Sequence, residues 1–295
     1  MSAIIETVLK SFPLLTRGKV RDNYDLNQQL LIVATDRLSA FDVVFAEPIP
    51  EKGRVLTQLA VYWFEKTADL LPNHLITAEI EQVPGLTTVE REMLRGRAML
   101  VKKGKVIPVE CIVRGYLAGS GWKEYQQTGT VNGIKLPNGL IESSKLPSPI
   151  FTPTTKEEQG HDQPITIAEL ANQVGAELTK QLEEYSLKLY NRAAKMAEQQ
   201  GIIIADTKFE FAWVDGVLTV VDEIFTPDSS RFWPQDQYQA GKAQPSFDKQ
   251  YVRDYLETLT WDKNPPAPAL PVEVITRTSE KYLESYERIV GVPLK

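Results

Sequence analysis

Asp206, Lys208 and Glu210 occupy every second position of the run Ala205-Asp206-Thr207-Lys208-Phe209-Glu210-Phe211, and a further acidic pair, Asp222-Glu223, follows eleven residues later. The apolar Ile202-Ile203-Ile204 ahead of the run reads as the start of a buried strand. Side chains alternate across a strand, so Asp206, Lys208 and Glu210 share one face while Thr207, Phe209 and Phe211 share the other. A row of acid, base and acid beside so apolar a start is costly to bury without purpose. The mixture suits a metal-bound polyphosphate: carboxylates hold Mg²⁺, and a lysine neutralises phosphate oxygens or a substrate carboxylate. For an isolated D-x-K-x-E the plainer reading is a half-exposed strand with a solvated polar face. The second acidic pair weighs against it.

Which acid joins the row depends on the turn between the strands. Val214-Asp215-Gly216-Val217 is a hairpin signal, and Leu218-Thr219-Val220-Val221 continues as the return strand. A two-residue loop, Asp215-Gly216, sets Val214 opposite Val217 and Lys208 opposite Glu223. A three-residue loop, Val214-Asp215-Gly216 with Gly216 left-handed, sets Lys208 opposite Asp222. One residue of slip flips every side chain, and pattern alone leaves both registers open.

Three other stretches carry chemical promise. Arg17-Gly18-Lys19-Val20-Arg21-Asp22 lies between apolar segments and reads as a strand–turn–strand loop over phosphates, or as a surface hairpin with solvated charges. Val106 to Arg114 reads as a strand running into Gly115-Tyr116-Leu117-Ala118-Gly119-Ser120-Gly121. Arg114 offers a planar fork, Ser120 a hydroxyl, and glycine amides approach closely, which suits a phosphate; the alternative is an arginine paired to a buried acid. Directly after Asp222-Glu223, the segment Phe225 to Trp233 brings a second arginine, Arg231, and two hydroxyls within reach of the acidic cluster; alone it would pass for a helix N-cap and a loop.

The elements that must position these groups are partly legible. Leu30 to Ala34 and Ala98 to Val101 read as strands, and Thr57 to Thr67 as a helix capped by Thr57. Thr166-Ile167-Ala168-Glu169 is a capping box. Leu178, Leu182, Tyr185 and Leu189 then form a core stripe, closed by Gly201. A proline-rich strap from Asn264 to Pro271 leads to a last helix near Ser279 to Ile289. Lysines and arginines (33) against acids (39) give −6, which argues against a general nucleic-acid surface. The single cysteine, Cys111, suits a reducing compartment. Two histidines, His74 and His161, leave little material for a zinc site. Nothing reads as a signal peptide or a membrane span, so a cytoplasmic protein is expected, with no membrane partner.

Together these segments resemble the SAICAR synthetase family, in its longer yeast-like form. The signature P-V-E-C-I-V-R-x-x-x-A-G-S is matched from Pro108 to Ser120, and D-x-K-x-E-F-G from Asp206 to Phe211, with Ala212 where glycine is usual. Arg17-Gly18-Lys19, Asp36 to Asp42, Ile49 to Gly53 and Ser246 to Gln250 extend the likeness over nearly the whole chain. The resemblance implies an α+β fold: a strand-rich, distantly kinase-like N-terminal ATP lobe over residues 1–104, packed on a larger α+β lobe over 105–295. It implies ligation of L-aspartate to carboxyaminoimidazole ribonucleotide (CAIR), driven by ATP through an acyl phosphate, by a monomer or small homo-oligomer.

The same resemblance assigns residues. Glu210 and Asp222 would be Mg²⁺ ligands, and Lys208 and Asp206 would face the reacting carboxylate and amine. Arg17, Gly18, Lys19, Glu110 and Lys156 would line the ATP site, with Val101, Lys102 and Lys103 as its adenine-side hinge. Arg114, Ser120 and Arg231 would hold the CAIR phosphate and Asp228 its ribose, with Ser39 and Asp42 lining the substrate cleft and Ser230 and Lys249 among the substrate-binding residues. Agreement with these metal ligands favours the three-residue loop. A small-molecule kinase and a non-catalytic nucleotide-binding module are the rival classes; the first lacks use for two phosphate-binding arginines, and the second would not need an intact acidic cluster.

Overall fold

The Ile202–Val214 strand organises the larger lobe, because every other site-bearing strand lies beside it. The computed structural model describes residues 3–156, 162–247 and 249–294. Along one edge of the long strand runs Val109–Tyr116, antiparallel, with Asp206 opposite Arg114 and Lys208 opposite Ile112. Along the other, Ser230–Pro234 pairs with its first half and Val217–Val221 with its second. Phe209 and Phe211 are fully buried on the core face, as their alternation with the charged residues requires. They pack in one apolar cluster with Trp63, Phe64, Leu182 and Leu189. The sheet is therefore apolar on one face and charged on the other where the three side chains emerge.

The N-terminal lobe is a five-stranded antiparallel sheet among the described residues, and it includes the two expected strands, as Gln29–Ala34 and Ala98–Lys102. The Leu14–Arg17 and Arg21–Leu26 strands form its outer hairpin, closed by Gly18 N–H donating to the Arg21 carbonyl at 2.8 Å. Both lobes feed the same core, since Ile32, Val101 and Ile289 belong to one cluster.

Helix starts are where pattern and structure part. The first helix spans Lys52–Thr67 with Glu51 at its N-cap, six residues before Thr57, and Thr57 is buried in its interior. Gly119–Thr128 is a helix, so the stretch read as a glycine-rich loop is a strand end followed by a helix start. The capping box at Thr166 holds, but Gly175 splits the helical region into Ile167–Val174 and Ala176–Glu198, and the whole stripe falls in the second helix. The last helix, Val272–Val290, begins at once after the proline strap. No helix among the described residues is long and apolar enough to cross a membrane.

A second capping box pins the start of the chain. Glu90 Oε2 accepts from Thr87 N–H and Thr87 Oγ1, both at 2.8 Å, and from Ser11 Oγ at 2.7 Å, while Oε1 accepts from Lys10 N–H at 2.8 Å. Burial pushes the Glu90 carboxyl up, but these bonds outweigh it and bring it down to about 2. Glu90→Ala is expected to cost about 2–3 kcal/mol, since several donors lose their acceptor at once. A depressed folded pKa gives stability that is full above the ordinary 4.5 and is lost as pH falls toward about 2. The deficit of the variant in urea denaturation should thus be full at pH 7 and shrink at pH 3.

Candidate active site

Strand register alone brings the charged groups together. Antiparallel pairing places Arg114 opposite Asp206 on one neighbouring strand and Arg231 opposite Asp206 on the other. Alternation then sets Glu110 on the same face as Arg114, next to Lys208 and Glu210. Lys208 Nζ lies 2.6 Å from Glu210 Oε1 and 3.3 Å from Glu110 Oε1, and Lys156 Nζ holds Glu210 Oε2. Burial works against the Lys208 charge, but Glu210 and Glu110 raise its pKa well above the ordinary value. Burial likewise opposes the Glu210 charge, yet Lys208 and Lys156 bring that carboxyl down to about 2. Glu110 is less compensated, and burial leaves it raised. At neutral pH the centre of the row is thus a charged Lys–Glu pair.

The hairpin turn corrects the three-residue expectation. Val214 pairs with Val217, so Asp215-Gly216 is a two-residue loop. Asp215 at φ 51° and Gly216 at φ 78° give the left-handed pair of a type I′ turn, whose twist matches that of the strands. Strand pairing stops at Val221, and Asp222 adopts φ 65°, which breaks the alternation on which the register argument depended. Asp222 nonetheless shares the field of the row. Burial raises its pKa, Arg21 opposes this, and the like charge of Glu210 adds to it. Arg21 Nη1 lies 3.0 Å and 3.2 Å from the two Asp222 oxygens, and its Nη2 lies 2.5 Å from Glu223 Oε2.

At the other end of the row Asp206 Oδ2 sits between the two arginines, 3.3 Å from Arg114 Nη1 and bonded to Arg231 Nη1. The reading of Arg114 as partner of a buried acid is thus realised, and the arginine still faces a void: Arg114, Ser120, Asp206, Lys208, Asp228 and Arg231 line one cavity of about 210 Å³. Arg114 Nη2 donates to Ser120 Oγ at 3.2 Å. A wider cavity of about 490 Å³ adjoins it, sharing Ser120, Arg231 and Arg253 and reaching Asp42 and Lys123.

The other expected residues are distributed unevenly. Asp228, Ser230 and Lys249 border the smaller cavity, with Asp228 Oδ2 2.7 Å from Lys52 Nζ and 3.7 Å from Lys249 Nζ. Ser230 Oγ bonds Thr207 Oγ1 at 2.8 Å. Lys19 is half-exposed at the hairpin tip, 2.5 Å from Asp42 Oδ1. Arg17 is committed to Asp22 and Glu6. Ser39 is buried in a two-residue strand and borders neither cavity. Val101, Lys102 and Lys103 lie where the first sheet hands over to the second, with Lys103 Nζ on Asp25 at 2.5 Å. His161 and Asp248 lie outside the described residues.

The family description SAICAR synthetase matches residues 14–268. The chain belongs to the SAICAR synthetase family. It is 54% identical over 285 residues to a phosphoribosylaminoimidazole-succinocarboxamide synthase of Thermodesulfovibrio yellowstonii, covering 97% of this chain and 98% of the relative. Identity to the Pelobacter propionicus protein of that name is 53% over 292 residues, covering 99% of each. The solved SAICAR synthase of Saccharomyces cerevisiae, complexed with SAICAR, superposes with a TM-score of 0.87 at 43% identity, covering 99% of both chains. A SAICAR synthetase in complex with ADP gives 0.69 at 25% identity, over 95% of this chain and 99% of that one. The two-lobed α+β fold is thus that of the family, and the protein is a ligase of purine biosynthesis that joins L-aspartate to CAIR.

Within the family pattern, Ala212 in place of glycine is accommodated by a glycine elsewhere. A Cβ on Gly104 would fall 2.9 Å from Ala212 Cβ and 2.7 Å from Val214 Cγ2. Four site residues escape the sequence reading. Arg21 and Lys52 lie in stretches valued for their neighbours, and Arg253 and Tyr282 sit on helices with ordinary amphipathic patterns. Only a charged residue at an inward position of its helix could have flagged Lys52 or Arg253. Arg21 is buried between two acids; burial opposes its charge, and Asp222 and Glu223 more than restore it.

Proposed function

We propose that catalysis is divided along the charged row, with ATP phosphates at the Glu210–Asp222 end and CAIR at the Asp206 end. The observation that carries this reading is that one cavity runs from Lys208 to a Ser120–Arg114–Arg231 cluster. A carboxylate resists attack by an amine, so ATP first phosphorylates the CAIR carboxylate, and the aspartate amine then displaces phosphate from the acyl phosphate. Lys208 stands where negative charge gathers in both steps and holds its proton throughout. Arg114 and Arg231, kept apart by Asp206, bind the ribonucleotide phosphate with Ser120. Asp228 accepts from ribose hydroxyls. The wider cavity, with Lys123 and Arg253 on its walls, gives the dicarboxylic substrate room beside the acyl group.

Magnesium fits this centre through its donor set. Among the described residues no group of three or more His, Cys, Asp or Glu side chains could hold a metal alone. Mg²⁺ is commonly bound by one or two carboxylates completed by substrate phosphates, and Glu210 and Asp222 supply two. When bound it neutralises phosphate charge. Lys156 and Lys208 meanwhile favour the charged form of Glu210, while Arg21 bonds both oxygens of Asp222 and only partly offsets the burial that raises its pKa.

Purified protein given ATP, Mg²⁺, CAIR and L-aspartate should release ADP only when both CAIR and aspartate are present. ADP release without aspartate, yielding a stable phosphorylated product, would instead indicate a kinase. Within that assay Arg114→Ala and Arg231→Ala should each raise KM for CAIR about ten- to a hundredfold, the equivalent of one charge-assisted contact, and leave KM for ATP nearly unchanged. Lysine at either position should rescue only in part, because it lacks the planar fork. An equal loss of ATP affinity would place the arginines in the nucleotide site.

A further inference from the structure

Lys52 opens the first helix with its side chain wholly buried. Lysine is almost never fully buried unless paired, and a buried ion pair adds little that a well-packed methionine would not. Stability alone therefore gives no reason for a lysine here. Its direction is tightly fixed. Glu51 before it is left-handed at φ 66°, and Gly53 after it leaves no room for a side chain, since a Cβ would lie 2.3 Å from the Ala34 carbonyl oxygen. The Gly53 N–H donates to Asp36 Oδ1 at 2.8 Å, and Ser279 Oγ on the last helix donates to the Pro50 carbonyl at 2.7 Å. So constrained a start aims one side chain.

That side chain meets Asp228. Lys52 Nζ donates to Asp228 Oδ2 at 2.7 Å, and the buried Tyr282 hydroxyl, from the last helix, donates to Oδ1 at 2.7 Å. One donor on each oxygen fixes both the position and the plane of the carboxylate. Burial pushes the Asp228 carboxyl up, but Lys249 and Lys52 pull it further down, below the usual range. Asp228 is thus ionised and has only acceptor capacity to offer the cavity it borders. Its complement is a group of donors, such as the hydroxyls of a sugar.

We propose that Lys52 and Tyr282 are positioning residues for sugar recognition: acting through Asp228, they hold a rigid two-oxygen acceptor against the ribose hydroxyls of the ribonucleotide substrate. This rests on the reading of Asp228 as the ribose residue. Preorganisation of this kind lowers the cost of ordering the site on binding. It also explains why two helices far apart in sequence converge on one carboxylate of a loop.

The test compares CAIR with its 2′-deoxy and 3′-deoxy analogues in steady-state kinetics. Tyr282→Phe keeps the buried ring and removes only the hydroxyl. It should raise KM for CAIR about three- to tenfold, with kcat within about twofold and KM for ATP unchanged. The preference for CAIR over the deoxy analogue that wild type discriminates against should shrink by a similar factor. Lys52→Met, with its folding checked by thermal denaturation, should shrink that preference further. Asp228→Asn serves as the reference. If it keeps the full preference, the ribose reading of Asp228 fails. If it loses the preference while Tyr282→Phe keeps it, the ribose reading stands and the positioning proposal is overturned. A merely structural tyrosine would lower the melting temperature without changing the preference.

Discussion

Lys208→Met is expected to lower kcat about 10²- to 10³-fold, the loss typical when one preorganised charge-stabilising group is removed from a transition state. The ammonium lies 2.6 Å from Glu210 and 3.3 Å from Glu110, so its removal also acts on the folded protein. Glu210 keeps Lys156, whereas Glu110, already raised by burial, is driven further toward its neutral form. Breaking a buried pair by deleting one partner costs about 3–5 kcal/mol. The remaining lysine and the partial exposure of Lys208 should hold this loss near the lower end, so the variant folds. Lys208→Arg should keep the stability and recover little of the rate, because a planar fork cannot occupy the place of a compact ammonium between two glutamates. Rate and melting temperature measured on both variants separate the two roles. A loss of kcat under about tenfold, with a large drop in melting temperature, would make Lys208 a counter-ion of the two glutamates and nothing more.

The long strand was legible because two independent signals agree there: strict alternation from Asp206 to Phe211 and an unbroken apolar start. Its register against its neighbours was not. Nothing in Val109–Tyr116 states that Arg114 falls opposite Asp206, since antiparallel offset is set by long-range packing and not by either strand alone. The hairpin failed for a local reason. The type I′ turn and the three-residue loop draw on the same Asp-Gly dipeptide, and the alternation used to choose between them ends at Val221, where Asp222 turns left-handed. The register that singles out Asp222 does not occur; Asp222 comes beside the row because the strand ends at Val221. The helix start at Lys52 is hidden because Thr57 reads as an N-cap, and that at Gly119 because its glycines read as a loop. Gly53 is needed for close approach to Ala34, and Gly119 for its φ of 57° just before Ser120. Tyr282 could not have been found at all: its partner lies 54 residues earlier, and its own helix shows only an ordinary apolar stripe.

The corrected turn alters what Asp222 and Glu223 should do when neutralised. Asp222→Asn is expected to reduce turnover at least about a hundredfold and raise the Mg²⁺ concentration for half-maximal rate, since a neutral amide holds Mg²⁺ weakly. Its cost to the fold should be small: Arg21 keeps Glu223, and burial with the like charge of Glu210 already opposes the Asp222 charge. Burial, with the like charges of Glu210 and Glu223, holds the Asp222 pKa above its ordinary 3.8 despite Arg21. A raised folded pKa means that the native state binds the extra proton, so wild type loses stability as pH rises from 3.8 through the folded value. The variant has no such ionisation, and its stability relative to wild type should improve between pH 4 and pH 7. Glu223→Gln should behave oppositely. Glu223 Oε2 accepts from Arg21 at 2.5 Å and from Thr226 Oγ1 at 2.5 Å, and loss of its charge leaves Arg21 half-paired in a buried site. That should cost about 3 kcal/mol in denaturant unfolding, while the Mg²⁺ dependence stays that of wild type. If Glu223→Gln were the variant that shifts the Mg²⁺ requirement, the metal-binding role would pass from Asp222 to Glu223, and Arg21 would be the partner that Asp222 keeps.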